Sequence, residues 1–466
     1  MGATARLTGE VVRPGDPGYE AARIGWNRLY SRYPEAIVFC CDAHEVINAV
    51  EWAREEGIAL RARSGRHSLE GWSSLDGGLV IDVSRMKNLE IDATARTATV
   101  GTGLTQAETV AALGRRGYVI PTGSEGGVGL GGVVLGGGFG LLTRSMGLAC
   151  DNLLGADVVV ADGARSAKVV EATDRSNPDL LWACRGGGGG NFGIATSYTL
   201  RLRELSDVTF LIARWTGHGE LGALLRAWQR EAPVADERLT SALEVDSTAV
   251  ELSALLYDGS RRELTDQLHS LLTIGDPEVT VTDDAWPTVY GSVDRGPNDV
   301  ANWKFYSQFV TRPFPDEAID LIVRYMGDAP SAPSNFFCSS FGGAVRHAPP
   351  GGSAFPHRDA LFYCEPGAAW NDPALNSKAL GWAAGFWRAL RPFCDGAYVN
   401  VPNAAASDWE REYYGPNRAR LRQVKATYDP ENVFRFEQSV PPPPAVDRAP
   451  RRPPPDRAGT GERPPR

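Results

Sequence analysis

The chain has 466 residues, which suits two or three folded units at roughly 100–200 residues each. A hydrophobic fraction of 42% and a charged fraction of 23% are those of a globular protein, and a formal net charge of −9 argues against a nucleic-acid partner. The seven cysteines are odd in number and lack any C-x-x-C spacing, which argues against a disulfide framework or a zinc site and leaves free thiols in a reducing compartment as the reading.

The first residues, Met1 to Arg6, carry no apolar signal-peptide run. The longest uncharged stretch, Gly126 to Thr143, is about half glycine and makes a poor membrane span. A cytoplasmic protein with no membrane partner is expected. Tyr19 to Tyr30 reads as a helix and Pro34 to Phe39 as a strand. Asp42 is placed to cap the next helix, whose apolar stripe is Val46, Ile47, Val50 and Trp52 and whose end is Gly57. Ala59–Arg63, Leu79–Asp82 and Ala98–Val100 read as short strands, and Thr105–Arg116 as a helix. This mixture is an α+β pattern, not a strict alternation of strands and helices. Glycine becomes sparser after about residue 205, where Val208–Trp215 and Leu239–Leu255 read as strands and Leu221–Glu231, Pro315–Met326 and Lys378–Leu390 as helices. From Pro441 the chain is rich in Pro and Arg and too poor in apolar residues to offset chain entropy, so disorder is expected over 441–466.

Three glycine-bearing loops stand out: Arg63-Ser-Gly-Arg-His-Ser68, the run Gly126–Gly140, and Arg185–Ile194. Bare backbone lets successive N–H groups approach a ligand and hold a phosphate. The pattern G-x-G-x-x-G occurs at Gly127 to Gly132 and at Gly188 to Gly193. Neither occurrence sits in a first strand–turn–helix unit, and glycines running on to Gly140 would weaken a helix by about 1 kcal/mol each, so a Rossmann site is not expected.

The order and spacing of these motifs are specific. After the His loop come Gly77-Gly-Leu-Val-Ile-Asp82, Val128-Gly-Leu-Gly-Gly132, Asp151-Asn-Leu153, Asn177-Pro-Asp-Leu-Leu-Trp-Ala-Cys-Arg185, Tyr398-Val-Asn400 and Lys425 through Phe434. On these residues the chain resembles the berberine bridge enzyme-like flavoproteins over about residues 20–440. The resemblance implies a helical segment (1–30), a two-part FAD-binding domain of the vanillyl-alcohol oxidase/p-cresol methylhydroxylase type (31–204), an α/β substrate domain with an antiparallel sheet (205–395), and a segment returning to the FAD domain (396–440).

The resemblance further implies FAD bonded covalently to His67 through its 8α carbon. It implies cofactor contacts from Arg63, Ser64, Gly65, Arg66, Ser68, Gly129, Gly131, Gly132, Gly138, Gly140, Asn152, Ile194 and Asn400. Two departures stand out. Arg66 replaces a glycine, and Glu125, beside Ser124, occupies the position of a second, cysteinyl tether, so the flavin has one link. Val128 falls at the oxygen pocket and favours O2 as acceptor. Tyr398 is the expected base, although Val401 replaces the second aromatic of its motif; Tyr363 and Tyr306 are substitutes. Trp215, Trp286, Trp303, Trp370, Trp382 and Trp387 either line a pocket for a flat molecule or pack the core. His347 and His357 lack metal-like spacing, and no metal is expected. The expected activity is oxidation of an alcohol, hydroquinone or amine of a small, polycyclic or aromatic molecule in secondary metabolism. A dehydrogenase or oxidative cyclase using another acceptor, and a non-catalytic drug-binding flavoprotein, remain open alternatives. Oligomeric state is not readable.

Overall fold

The structure, a computed structural model, describes residues 7–294 and 300–443. All but the first three residues of the Pro/Arg-rich segment lie outside the described residues. The fold is α+β, built on three principal sheets. In the first, Ala36–Phe39, Leu79–Asp82 and Leu60–Arg63 run parallel, and Glu10–Val12 adds an antiparallel edge. The helix Ala43–Glu56 makes the crossover between the first two sequence-adjacent parallel strands, as parallel pairing demands. Asp42 caps it by accepting from the Glu45 N–H, and Gly57 ends it at φ 70°. Its buried stripe is Val46, Ala49, Val50 and Ala53; Ile47 and Trp52 lie at the margins.

The second sheet is antiparallel, in the order Leu89–Asp92, Thr97–Gly101, Ile194–Arg201, Leu153–Asp162, Ser166–Thr173. The third has eight strands; Asp207–Thr216, Ala249–Tyr257, Leu239–Val245, Asn335–Ser340 and Phe362–Trp370 are successive neighbours in it. Helices Leu221–Glu231, Asp316–Gly327 and Asn376–Leu390 cover its outer face through an apolar core that includes Leu224, Trp228, Ile322, Phe336 and Phe386. The inner face is turned to the glycine loops. No helix among the described residues is long and apolar enough to cross a membrane.

Three expectations are corrected by tertiary context. The first helix stops at Arg23, because Trp26 is drawn away: its N–H donates to Arg66 O and its ring stacks on His67. The long strand Leu239–Leu255 is a hairpin of Leu239–Val245 and Ala249–Tyr257. Asp246 turns it by accepting from Thr248 N (2.6 Å) and Ala249 N (3.0 Å). The glycine run does hold a helix, Leu130–Gly136, since burial of Leu130, Val134 and Leu135 offsets the poor propensity of its glycines.

Two buried cations tie the layers together. Arg144, just after the glycine run, donates to the carbonyls of Leu239 (2.7 Å), Pro233 (2.9 Å) and Ala235 (2.6 Å) beside the large sheet. Lys425 donates to Asp429 Oδ2 (2.6 Å), Asn191 O (2.6 Å) and Phe434 O (2.5 Å), with both side chains of the ion pair fully buried. That cluster explains the Lys425–Phe434 motif: an ammonium so enclosed needs every proton bonded, and its acceptors pin the third glycine loop to the returning C-terminal segment.

Candidate active site

The three glycine loops and the inner face of the large sheet enclose a cavity of about 570 Å³. Of the residues expected to contact cofactor or substrate, Arg63, Ser64, Gly65, Arg66, His67, Ser68, Val128, Gly129, Gly131, Gly132, Gly140, Ile194, Tyr363, Tyr398 and Asn400 line it. Gly138 and Asn152 do not. Asn152 is buried and donates to the carbonyls of Met146 and Leu148 (both 3.0 Å), which places it in the support of a turn.

The first two loops meet backbone to backbone. A Cβ at Gly65 would lie 2.2 Å from Gly129 N, and one at Gly129 would lie 2.4 Å from Gly65 N. Only bare main chain allows this crossing, which leaves a side-chain-free cradle at the cavity. Arg66 has φ 64°, the left-handed conformation that glycine adopts at least cost. Its guanidinium turns back to donate to Ala21 O (3.0 Å) and approach Asp82 (3.8 Å), so it leaves the cradle clear.

Arg63 supplies the fit for an anion. Its Nε donates to Asp82 (2.7 Å), while Nη1 and Nη2 are buried without a hydrogen-bond partner. Two buried, unsatisfied guanidinium nitrogens beside a glycine cradle suit the diphosphate of a dinucleotide. His67 stands at the other end of the loop, its ring 5.3 Å from that of Trp26 in a stacked pair. Burial lowers its pKa to about 4, against a smaller opposing effect of Asp294. The imidazole is therefore neutral at physiological pH, with a nitrogen lone pair for bonding.

Across the cavity, strand register assembles the opposite wall. Glu244 pairs with Phe337, and Phe337 with Glu365, so the three form a row across neighbouring strands. Ala242, Ser339 and Tyr363 form the adjacent row on the same face. Tyr363 Oη donates a short hydrogen bond to Glu365 Oε2. Burial raises the Glu365 pKa to about 7; the Tyr363 bond opposes that shift, and the nearby charges of Glu244 and Glu125 add to it. A carboxyl poised near neutrality beside an enclosed cavity is equipped to accept a proton. The sequence reading missed Glu365, although a carboxylate two residues from Tyr363 inside an otherwise uncharged strand was a usable signal.

Tyr398 is placed differently. Its hydroxyl oxygen accepts from Gly138 N (2.7 Å) and Asn400 Nδ2 (2.9 Å), and burial raises its pKa well above the ordinary phenol value. Asn400 also donates to Val133 O (3.0 Å), so the Tyr-Val-Asn motif braces the glycine helix. Tyr306 lies outside the cavity, stacked on Trp387 at 5.3 Å. Of the six tryptophans considered, Trp303 lines the cavity, while Trp26 and Trp72 join it from the cofactor side. Gln106, also unanticipated, fixes the loop beneath Val128 by donating to Glu125 O (2.8 Å) and accepting from Gly123 N (2.5 Å).

Comparison with known proteins agrees with this geometry. Residues 34–166 match the model of an FAD-binding domain, and residues 397–441 that of berberine and berberine-like proteins. The chain is 40% identical to the FAD-linked oxidoreductase YvdP of Bacillus subtilis, covering 95% of this chain and 100% of that one. It is 30% identical to the aclacinomycin-N/aclacinomycin-A oxidase of Streptomyces galilaeus, over 90% and 87% of the two chains. The solved structure of BBE-like 1 from Physcomitrella patens superposes with a TM-score of 0.86 at 28% identity, over 93% and 97% of the chains. The glycine cradle, the unsatisfied guanidinium beside it and this full-length similarity together establish that the chain belongs to the berberine bridge enzyme-like FAD-linked oxidoreductases.

Proposed function

We propose that the protein is an oxidase that removes a hydride equivalent from an alcohol, hydroquinone or amine of a small organic molecule, with Glu365 as the base. The observation that carries this reading is the Glu365–Tyr363 pair on the substrate wall of the cavity that His67 and the glycine cradle also line. When bound, FAD accepts the hydride at its ring. The protein's own groups do the rest. Glu365 takes the proton from the substrate's O–H or N–H, and Tyr363 holds the carboxylate in place through its hydrogen bond. Phe139, Trp303, Phe305 and Phe337 exclude water and offer flat surfaces to the substrate. His67 tethers the cofactor by a single covalent bond, Glu125 standing where a second tether would be. The similarity to an aclacinomycin oxidase supports a tailoring step in secondary metabolism, and O2 is the acceptor. A purified preparation that is yellow, is bleached by a candidate substrate without air and releases H2O2 with air tests the reading. A colourless protein overturns it.

Two further outcomes follow from the geometry. Arg63→Lys keeps a cation for Asp82 but cannot also reach a diphosphate with a second pair of donors. Made in a His67→Ala background, where no tether masks binding, it weakens FAD affinity by about 1.5–3 kcal/mol, a loss of roughly 10–150-fold by equilibrium titration. Val128→Leu places an extra methylene at the proposed oxygen side of the ring. Stopped-flow then shows slower reoxidation by O2 with anaerobic flavin reduction unchanged.

A further inference from the structure

His67 is bracketed by one short segment of the chain. Trp26 N donates to Arg66 O (2.9 Å) on one side of it, and Asn27 Nδ2 to Leu69 O (2.8 Å) on the other. The same Asn27 reaches the edge strand of the large sheet. Its Nδ2 donates to Trp303 O (2.8 Å) and its Oδ1 accepts from Trp303 N (3.1 Å), so the carboxamide pairs with Trp303 as a neighbouring strand would. A buried ion pair repeats the link one residue further along each partner: Glu70 accepts from Lys304 Nζ, and also from Tyr30 Oη and Ala404 N (3.2 Å). The side chains of Glu70 and Lys304 are 3% and 8% exposed. A pair so enclosed holds its two segments in one arrangement, because separating it strands a buried charge.

This strap carries a series of rings. His67 and Trp26, Trp26 and Trp303, and Trp303 and Phe305 are successive stacked pairs, with centroids 5.3, 5.8 and 5.1 Å apart and interplanar angles of 23°, 25° and 11°. All four residues line the cavity. The imidazole depends on this stack. Rotation about its outer side-chain torsion is soft, and among the described residues none forms a hydrogen bond with either ring nitrogen. Packing does the holding: Trp26 lies against the ring face, and bare main chain lies at Gly127, where a Cβ would sit 3.0 Å from His67 Nε2.

We propose that Trp26 is a positioning residue for His67, clamped by Asn27 and the Glu70–Lys304 pair so that its ring fixes the imidazole in the orientation from which the flavin tether forms. The proposal rests on the covalent-tether reading and assigns the residue that makes attachment efficient. Attachment removes the imidazole N–H and one C–H of the 8α methyl group, joins nitrogen to carbon, and passes two electrons and two protons to the flavin ring. O2 takes these up as H2O2 and leaves the oxidised, tethered cofactor. The nitrogen lone pair has to point at the 8α carbon, and a ring free to turn meets that condition rarely. Trp26 therefore acts on the rate of bond formation and not on the affinity for FAD, which belongs to the glycine cradle and Arg63.

The test uses the full chain purified from riboflavin-limited cells and incubated with excess FAD in air. Intact mass gives the rate at which one FAD is added, and acid precipitation confirms the bond. The expected result is that Trp26→Leu slows attachment about 10–100-fold, while Trp26→Phe, which keeps a ring face, stays within about threefold. Trp303→Leu removes the ring behind Trp26 and slows attachment about three- to tenfold. Thermal melts report folding, and Trp303→Leu decides the matter should Trp26→Leu fail to fold. FAD affinity, compared between His67→Ala and Trp26→Leu/His67→Ala, stays within about twofold. Attachment at the wild-type rate in the deciding variant overturns the proposal. So does an affinity that falls as far as the rate, which gives Trp26 a merely structural part. Wild-type protein that gains no mass and releases its flavin in acid fails at an earlier step: it overturns the tether itself, and the proposal with it.

Discussion

Glu365→Gln lowers the rate of anaerobic flavin reduction by substrate about 10²–10⁴-fold, the range expected when a positioned general base is removed. The amide keeps the shape of the side chain and accepts the Tyr363 hydroxyl, so folding and cofactor content stay near wild type. The pH profile gives a second, independent signature. Burial lifts the Glu365 carboxyl to about 7, with Glu244 and Glu125 adding to the shift and Tyr363 opposing it. A base works only when deprotonated. Wild-type kcat/KM therefore falls about tenfold per unit as pH drops below about 7, and it levels off above. The Gln variant loses this limb. Tyr363→Phe removes the opposing hydrogen bond, so its limb moves to higher pH. A Glu365→Gln enzyme within a fewfold of wild type, with its acidic limb intact, shows that another group takes the proton.

What could be read from the sequence divides along a physical line. The glycine side of the cavity was legible because its geometry is local: loops that cross backbone to backbone need glycines at particular positions, so short segments contain the signal. The Asp42 cap and the Gly57 stop were legible for the same reason. The substrate wall was not. Glu244, Phe337 and Glu365 lie on three strands separated by up to 121 residues in the chain, and only register places them in one row. Strand alternation puts Tyr363 and Glu365 on one face, but which face lines the cavity depends on how the whole sheet packs. Tyr398, read as the base, lines the cavity from the returning segment, and its hydroxyl oxygen accepts from Gly138 N–H and Asn400 Nδ2, bonds that tie it to the glycine run and that register from sequence alone could not show. The run Gly126–Gly140 shows propensity losing to burial, since Leu130–Gly136 is helical despite its glycines.

His67→Ala converts the flavin from acid-stable to acid-extractable. In the wild type, acid precipitation leaves the yellow colour on the polypeptide, and the intact mass exceeds that of the chain by one FAD. In the variant the precipitate is white, the colour is in the supernatant, and the mass is that of the bare chain. The surroundings of His67 suit the proposed bond. The ring is held by stacking on Trp26, and burial keeps it neutral down to about pH 4, so the nitrogen lone pair is available throughout the physiological range. With Glu125 where the resemblance puts a cysteinyl tether, the variant's flavin is expected to be held without a covalent bond. The cradle survives the substitution, since the Gly65–Gly129 crossing and the Arg63 guanidinium do not involve the imidazole. Added FAD therefore binds reversibly and restores colour. The restored enzyme turns over more slowly, because a bond from the ring system to histidine raises the flavin's potential and the unlinked flavin accepts hydride less readily. A lower midpoint potential, measured by dye equilibration, separates this effect from simple loss of cofactor. Acid-stable colour in the His67→Ala protein places the tether elsewhere, and acid-extractable flavin in the wild type removes the covalent bond from the mechanism.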